Sequence, residues 1–279
     1  VSAHAAAGGD GGPTENAPRS ATTGRRRGAL NFFLGLAIFA ALWALGGALL
    51  EASPRLRSFA DFGLLPTLSA FPVLWEAGKL QSAIAASSYR LGTGLAIAIL
   101  VGIPIGVLVG QSKRFRELTN SSFQFLRMIS PLSWMPIAVY VFDRWDESII
   151  FLVAFASVWS VIYQTAAGVA KIDPAWFKVA RNLGANHWQM LMQIIMPAIS
   201  FDIFTGIRLA LGVAWVVLVP AELLGVTTGL GFEIRDARET LSYSHLTAMV
   251  LTIGIIGFAL DACCAVLVRR YSWHRVDAA

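Results

Sequence analysis

The chain has 279 residues, of which 56% are apolar and 14% charged, with a formal net charge of +5 and a mean hydropathy of +0.63. A soluble domain carries about 25% charged residues, so the composition points to an integral membrane protein of the all-α class. The surplus Lys and Arg lie in short polar segments between apolar runs, where they report topology rather than affinity for nucleic acid.

Residues 1–28 are rich in Ala, Gly, Ser, Thr and Pro and close on Arg25, Arg26 and Arg27; they read as a disordered tail. A signal peptide shares this basic-then-apolar order. The apolar run 29–50, however, is long enough to cross roughly 30 Å of hydrocarbon and carries no convincing cleavage site, so it reads as the first span. Residues 51–86 contain Pro54, Pro66 and Pro72, and 73–86 reads as an amphipathic surface helix. The second span, 89–110, carries Gly102, Gly106 and Gly110, a doubled GxxxG that lets helices approach closely. Pro104 between them implies a kink.

Lys113, Arg114 and Arg116 follow, and then a third span at 121–142. Arg127, Ser130, Pro131, Ser133 and Pro136 interrupt it. Irregular backbone at membrane depth is either buried in protein or lines a wet cavity. Ser130, Pro131, Ser133 and Pro136 are therefore candidates for a pathway wall, beside the plainer reading of a kinked structural helix. A polar turn at 143–147 leads to the fourth span, 148–169. A polar segment at 171–197 precedes the fifth span, 200–224. A polar loop at 225–245, with a short helix expected after Gly231, leads to the sixth span, 246–268, and residues 271–279 form a basic tail. Six spans and their loops, 29–270, are thus expected to form one membrane domain.

The polar segment is helix-like at Phe177, Val179 and Ala180 and breaks at Gly184. Trp188, Leu191, Met192 and Ile195 then recur at i, i+3, i+4 and i+7, the stripe of an amphipathic helix, which Pro197 is expected to end. Two short helices bent at a glycine suit another protein's groove. Lys and Arg number thirteen in the segments before span one and after spans two, four and six, against six in the other loops. The positive-inside rule then places both termini and 171–197 in the cytoplasm.

Chemistry for catalysis is sparse. There is no GxxxxGK[ST] phosphate loop. His4, His187, His245 and His274 are scattered without triad partners, and the GxG at Gly229 and Gly231 is too short for a nucleotide fingerprint. Cys263 and Cys264 are neighbours in one helix, unable to form an ordinary disulfide and lacking metal-ligand spacing. No catalysis and no cofactor are expected. Among charges within spans, Arg90, Asp202 and Glu222 lie close to span ends, where solvation accounts for them, whereas Arg127 and Arg208 sit deeper. At 1.5 Å per residue, Arg208 and Asp261 both lie roughly 10–12 Å from the cytoplasmic end of their spans. Equal depth and opposite sign favour a pair. The competing reading places Arg208 in the pathway, facing an anion.

Segment 178–197 resembles the EAA loop of ABC-importer permeases, roughly E-A-A, three residues, G, nine residues, I-x-L-P. Ala180, Gly184, Ile194 and Pro197 match it, while Lys178 stands where the glutamate would be, Val179 for the first alanine and Met196 for the leucine. The resemblance extends through SSYRLGTGLAIAILVGIPIGVLVG, SPLSWMPIAVYVF and VPAELLGVTTGLGFEIRDARETL to the nitrate/sulfonate/taurine/bicarbonate branch. It implies a six-helix permease of the type I importer fold in a bacterial inner membrane, and a homodimer with two cytoplasmic ATPase subunits and an extracytoplasmic solute-binding protein. It also implies ATPase docking through Lys178, Ala180, Gly184, His187, Trp188, Ile194 and Pro197. The main rival is an ATP-independent channel or secondary transporter, which would show charges paired near the midplane and internal repeats; no clear inverted repeat is present.

Overall fold

The structure, a computed structural model, describes residues 21–271. It is helical, with no strand among the described residues. The chain divides at residue 64 into two compact units. The first is built on α1 (Ala21–Ala52), which a 3-10 turn, Arg57–Phe62, follows. The indole Nε1 of Trp43 donates to the Phe62 carbonyl at 2.8 Å, and Gly47 lies so close to Gly63 that a Cβ would meet its Cα at 2.8 Å. α1 begins inside the stretch expected to be a tail; the Arg25–Arg27 run, made of good helix formers, carries the span's helix back to Ala21. The rest of that tail, 1–20, and the C-terminal 272–279 lie outside the described residues.

The second unit begins within α2 (Leu64–Glu76), whose Thr67, Ala70 and Leu74 are buried at i, i+3 and i+7. The surface helix expected at 73–86 is instead split by Gly78, in the left-handed region at φ +70°. Lys79 starts α3 (Lys79–Gln111), so the second span begins ten residues earlier than its apolar run. Along α3, Gly94, Gly102, Gly106 and Gly110 face Val153, Val161, Thr165 and Val169 of α6 (Trp145–Ala170). A Cβ on Gly106 would sit 2.6 Å from the Thr165 Cβ, so these glycines set the helix separation. α6 is buried on almost every side, as a helix apolar all round should be.

Between α3 and α6 lie α4 (Lys113–Met128), a 3-10 turn Pro131–Trp134 and α5 (Met135–Val141). This is where the six-span expectation departs from the structure. The region 121–142 is no single helix: α4 is charged and has no buried residue, and the apolar part, Pro131–Val141, is too short to cross. Among the described residues, five helices are long and apolar enough to span: α1, α3, α6, the continuous helix His187–Gly225 and α11 (Tyr243–Tyr271). Arg127, at the end of α4, stacks over the Tyr163 ring at 4.9 Å, which offsets its charge by a cation–π contact.

Candidate functional site: a helical bend and a buried ionic clasp

Residues 171–197 fold as a helix, a tight turn and a second helix. The Asp173 carboxylate caps α7 (Pro174–Asn182) by accepting from the Ala175 amide at 2.8 Å, with Pro174 in the first turn. At its other end the Ala185 amide donates to the Ala180 carbonyl and the Gly184 amide to that of Arg181. These two bonds make a Schellman motif with Gly184 left-handed at φ +78°. Asn186 and Gln189 then form a reciprocal capping box that starts α8 (His187–Gln189).

Pro197 does not end this second helix. A π-helical stretch, Met190–Ile195, leads directly into α9 (Met196–Gly225). The wider π turn accommodates the proline ring and its missing N–H, so the helix that starts at His187 and the fifth span are one rod. At its base, Lys171 Nζ donates to Asp202 Oδ1 at 2.8 Å. Asp202 is buried, not solvated at a span end as its position in the sequence implied.

The bend presents an apolar face outward. Trp176, Val179 and Leu183, spaced i, i+3 and i+7 on α7, are exposed, Leu183 at 82%, and Trp188 beyond the turn is 66% exposed. Of the residues singled out in the sequence, Gly184, Trp188 and His187 lie at this bend and Lys178 and Pro197 are exposed. Ala180 is buried and Ile194 half-buried against the bundle. Trp176 and Leu183 were not singled out, and Val179 was named for its helical pattern and its place in the EAA match, not as part of an exposed face; the i, i+3, i+7 spacing of the three in the polar stretch was the signal that could have found them.

Ser130, Ser133 and Pro136 are exposed and Pro131 half-buried. Ser133 and Pro136 share a face with the fully open Tyr140. Arg208 meets Asp261 in a bidentate pair, with Nε to Oδ1 and Nη2 to Oδ2 both 2.8 Å. The pair is on the surface of the chain, its side chains 42% and 57% exposed, rather than buried between helices.

The most enclosed polar cluster lies at the far end of α3 and α9, and its charges are those assigned to solvation. Arg90, 2% exposed, donates through Nε to Asp146 Oδ1 at 2.7 Å and through Nη1 to Glu222 Oε1 at 2.6 Å. It also reaches the Thr228 carbonyl and hydroxyl at 2.8 and 3.1 Å. Glu222, fully buried, accepts from Ser87 Oγ at 2.8 Å and from the Gly231 amide at 2.9 Å. Ser87 belongs to α3, whereas Thr228 and Gly231 belong to the loop 226–229 and to α10 (Leu230–Glu239), which fold back over the span ends and bury the cluster. The glycines of the GxG make this possible. Gly229 is at φ +121°, where a Cβ would lie 2.5 Å from Arg90 Nη1, and Gly231 packs on the Val219 carbonyl. Arg235 adds bonds to the carbonyls of Leu223 and Val226. The depth argument that paired Arg208 with Asp261 would equally have paired Arg90 with Glu222.

Residues 102–273 match the family described as binding-protein-dependent transport system inner membrane component. The bicarbonate transport system permease protein CmpB of Synechococcus elongatus is 37% identical over 177 residues, covering 63% of this chain and 64% of that protein. The chain thus spans a little under two thirds of that relative's length. The taurine transport system permease protein TauC of Escherichia coli is 35% identical over 192 residues, covering 68% of this chain and 70% of TauC. In fold, the chain is similar to a chain of a bacterial ABC transporter involved in the import of the acidic polysaccharide alginate. That match has a TM-score of 0.62 at 16% identity and covers 89% of this chain and 97% of the other. The chain belongs to the family of binding-protein-dependent transport system inner membrane components, on the branch that includes bicarbonate and taurine permeases.

Proposed function

We propose that this chain is the membrane-embedded subunit of an ATP-driven importer, and that it forms the route for a small solute carrying an anionic group. The observation that carries the reading is the bend at Gly184. It holds together an exposed apolar face, with Trp176, Val179 and Leu183 along α7 and Trp188 at the start of a rod continuous with the fifth span. A partner seated on that face moves α9 as a rigid body, which is how ATP-driven closure of two ATPase subunits would reach the membrane. The other partners are a second copy of the chain and a solute-binding protein delivering solute on the outer side. The anionic class comes from the relatives, named for bicarbonate and taurine. Both termini and the bend lie in the cytoplasm in this reading, which the Lys and Arg distribution supports. ATP hydrolysis resides in the partner subunits.

The test is co-purification. Tagged permease brings down an ATPase, and Leu183→Asp and Trp188→Asp lose it while still inserting. Normal ATPase recovery with both variants would overturn the docking face. A cysteine near Asp143 reacts with an impermeant reagent from outside, and one near Asn186 does not; the reverse would overturn the orientation.

A further inference from the structure

Behind the bend lies a cavity of about 1090 Å³, just above the usual range of roughly 300–1,000 Å³ for ligand sites. Its wall is formed by the last turns of α3, the end of α6, the inner side of α7 and the π-helical stretch. The lining is divided by chemistry. Val107, Leu108, Phe177 and Leu191 give it an apolar wall, and Arg116, Lys178, Arg181 and His187 bring cationic or titratable groups to it. None of the lining residues is acidic. Among the described residues, no ion pair holds Arg116, Lys178 or Arg181. The nearby carboxylates are engaged: Asp173 caps α7, Asp202 receives Lys171, and Glu117 faces Lys113.

α7 is therefore two-faced. Trp176, Val179 and Leu183 point outward, while Phe177, Lys178 and Arg181 line the cavity. Lys178, standing where the EAA pattern has glutamate, adds a positive charge here in place of a negative one. The apolar wall continues the membrane-embedded surface of α3, and the cations sit at its end, in the order of an acyl chain followed by an anionic headgroup. Basic pockets between helices at the cytoplasmic end of spans take such headgroups.

We infer that this cavity is a binding site for an anionic phospholipid of the cytoplasmic leaflet. The headgroup phosphate meets Arg116, Lys178 and Arg181, and an acyl chain lies along Val107 and Leu108. The lipid would support α7 from behind while the ATPase holds its front, so that the bend is pre-organised for docking. The inference rests on the orientation given under Proposed function but not on the ATPase contact.

The experiment uses the permease with whatever ATPase co-purifies, in nanodiscs of phosphatidylcholine doped with photoactivatable phosphatidylglycerol or, in parallel, photoactivatable phosphatidylcholine. Cross-linked peptides are mapped by mass spectrometry. The expected result is phosphatidylglycerol label concentrated on 103–111 and 174–185, with roughly tenfold less from phosphatidylcholine. Lys178→Glu with Arg181→Glu, or Arg116→Gln alone on α4, lowers that label while label on α11 persists. Equal labelling by the two lipids, label spread evenly over the apolar surface, or label insensitive to all three substitutions overturns the site. Displacement by millimolar inorganic phosphate overturns the lipid assignment in favour of a soluble anion. The wild-type comparison of the two lipids stands if a variant does not fold. Loss of the ATPase from the sample with label retained refutes the coupling reading and leaves this one intact.

Discussion

Arg90→Ala is the substitution that most directly probes the buried clasp. Arg90 is 2% exposed and Glu222 fully buried, so removing the guanidinium leaves a buried carboxylate without its cation. Breaking a buried pair in this way destabilises by about 3–5 kcal/mol. Glu222 keeps Ser87 Oγ and the Gly231 amide as donors, which places the expected loss in the lower part of that range. Glu222→Gln strands less, because Arg90 still reaches Asp146, itself partly open to water. Losing one charged hydrogen bond there corresponds to about 1.5–3 kcal/mol. The double variant should then show a coupling of roughly 0.5–3 kcal/mol, since the two groups touch. The assay is equilibrium unfolding of the purified chain in mixed micelles for the wild type, both single variants and the double. A loss below about 1 kcal/mol for Arg90→Ala, in the range of an exposed pair, together with additivity, would refute the clasp.

Three further outcomes follow from the same geometry. Gly106→Leu should separate α3 from α6, because even a Cβ there meets Thr165; unchanged thermal stability in detergent would contradict the packing. Arg208 and Asp261 pair on the chain's surface but within two spans, where an unpartnered charge is costly, so Arg208→Ala and Asp261→Ala should each lower the amount of folded protein, with the double variant recovering part. If Arg208→Ala folds normally and loses only transport, the arginine serves the pathway and the pair is incidental. Glu233, in α10, has a carboxyl pKa raised above its ordinary 4.5 by burial, against the opposing charge of Lys79. A raised acid binds its proton more tightly when folded, so its contribution is present below 4.5 and is lost as pH rises through the folded value. Glu233→Gln should flatten the fall in thermal stability just above that pH; an unaltered pH profile would contradict the burial effect.

Much of the architecture could be read from local pattern, because a spanning helix satisfies its own backbone and needs only a long apolar run. The runs at 29–50, 89–110, 148–169, 200–224 and 246–268 all lie within long helices. The spacing of Gly102, Gly106 and Gly110 likewise foretold a close helix approach, since a glycine stripe acts through the helix that carries it. Gly184 as the turn between two helices was legible for the same reason: the left-handed cap and the Asn186–Gln189 box are built from neighbours in the chain. What hydropathy could not decide is where backbone breaks and where charge is covered. Pro197 looks like a stop in sequence, yet a π turn carries the helix through it. The run at 121–142 looks like a span, yet a charged helix, a 3-10 turn and a short helix divide it. Arg90 and Glu222 lie 132 residues apart and near span ends, so each alone reads as solvated. Only the loop carrying Gly229 and Gly231, folded back over them, turns two apparently wet charges into a dry pair, because desolvation depends on what packs above a group and not on its neighbours in the chain.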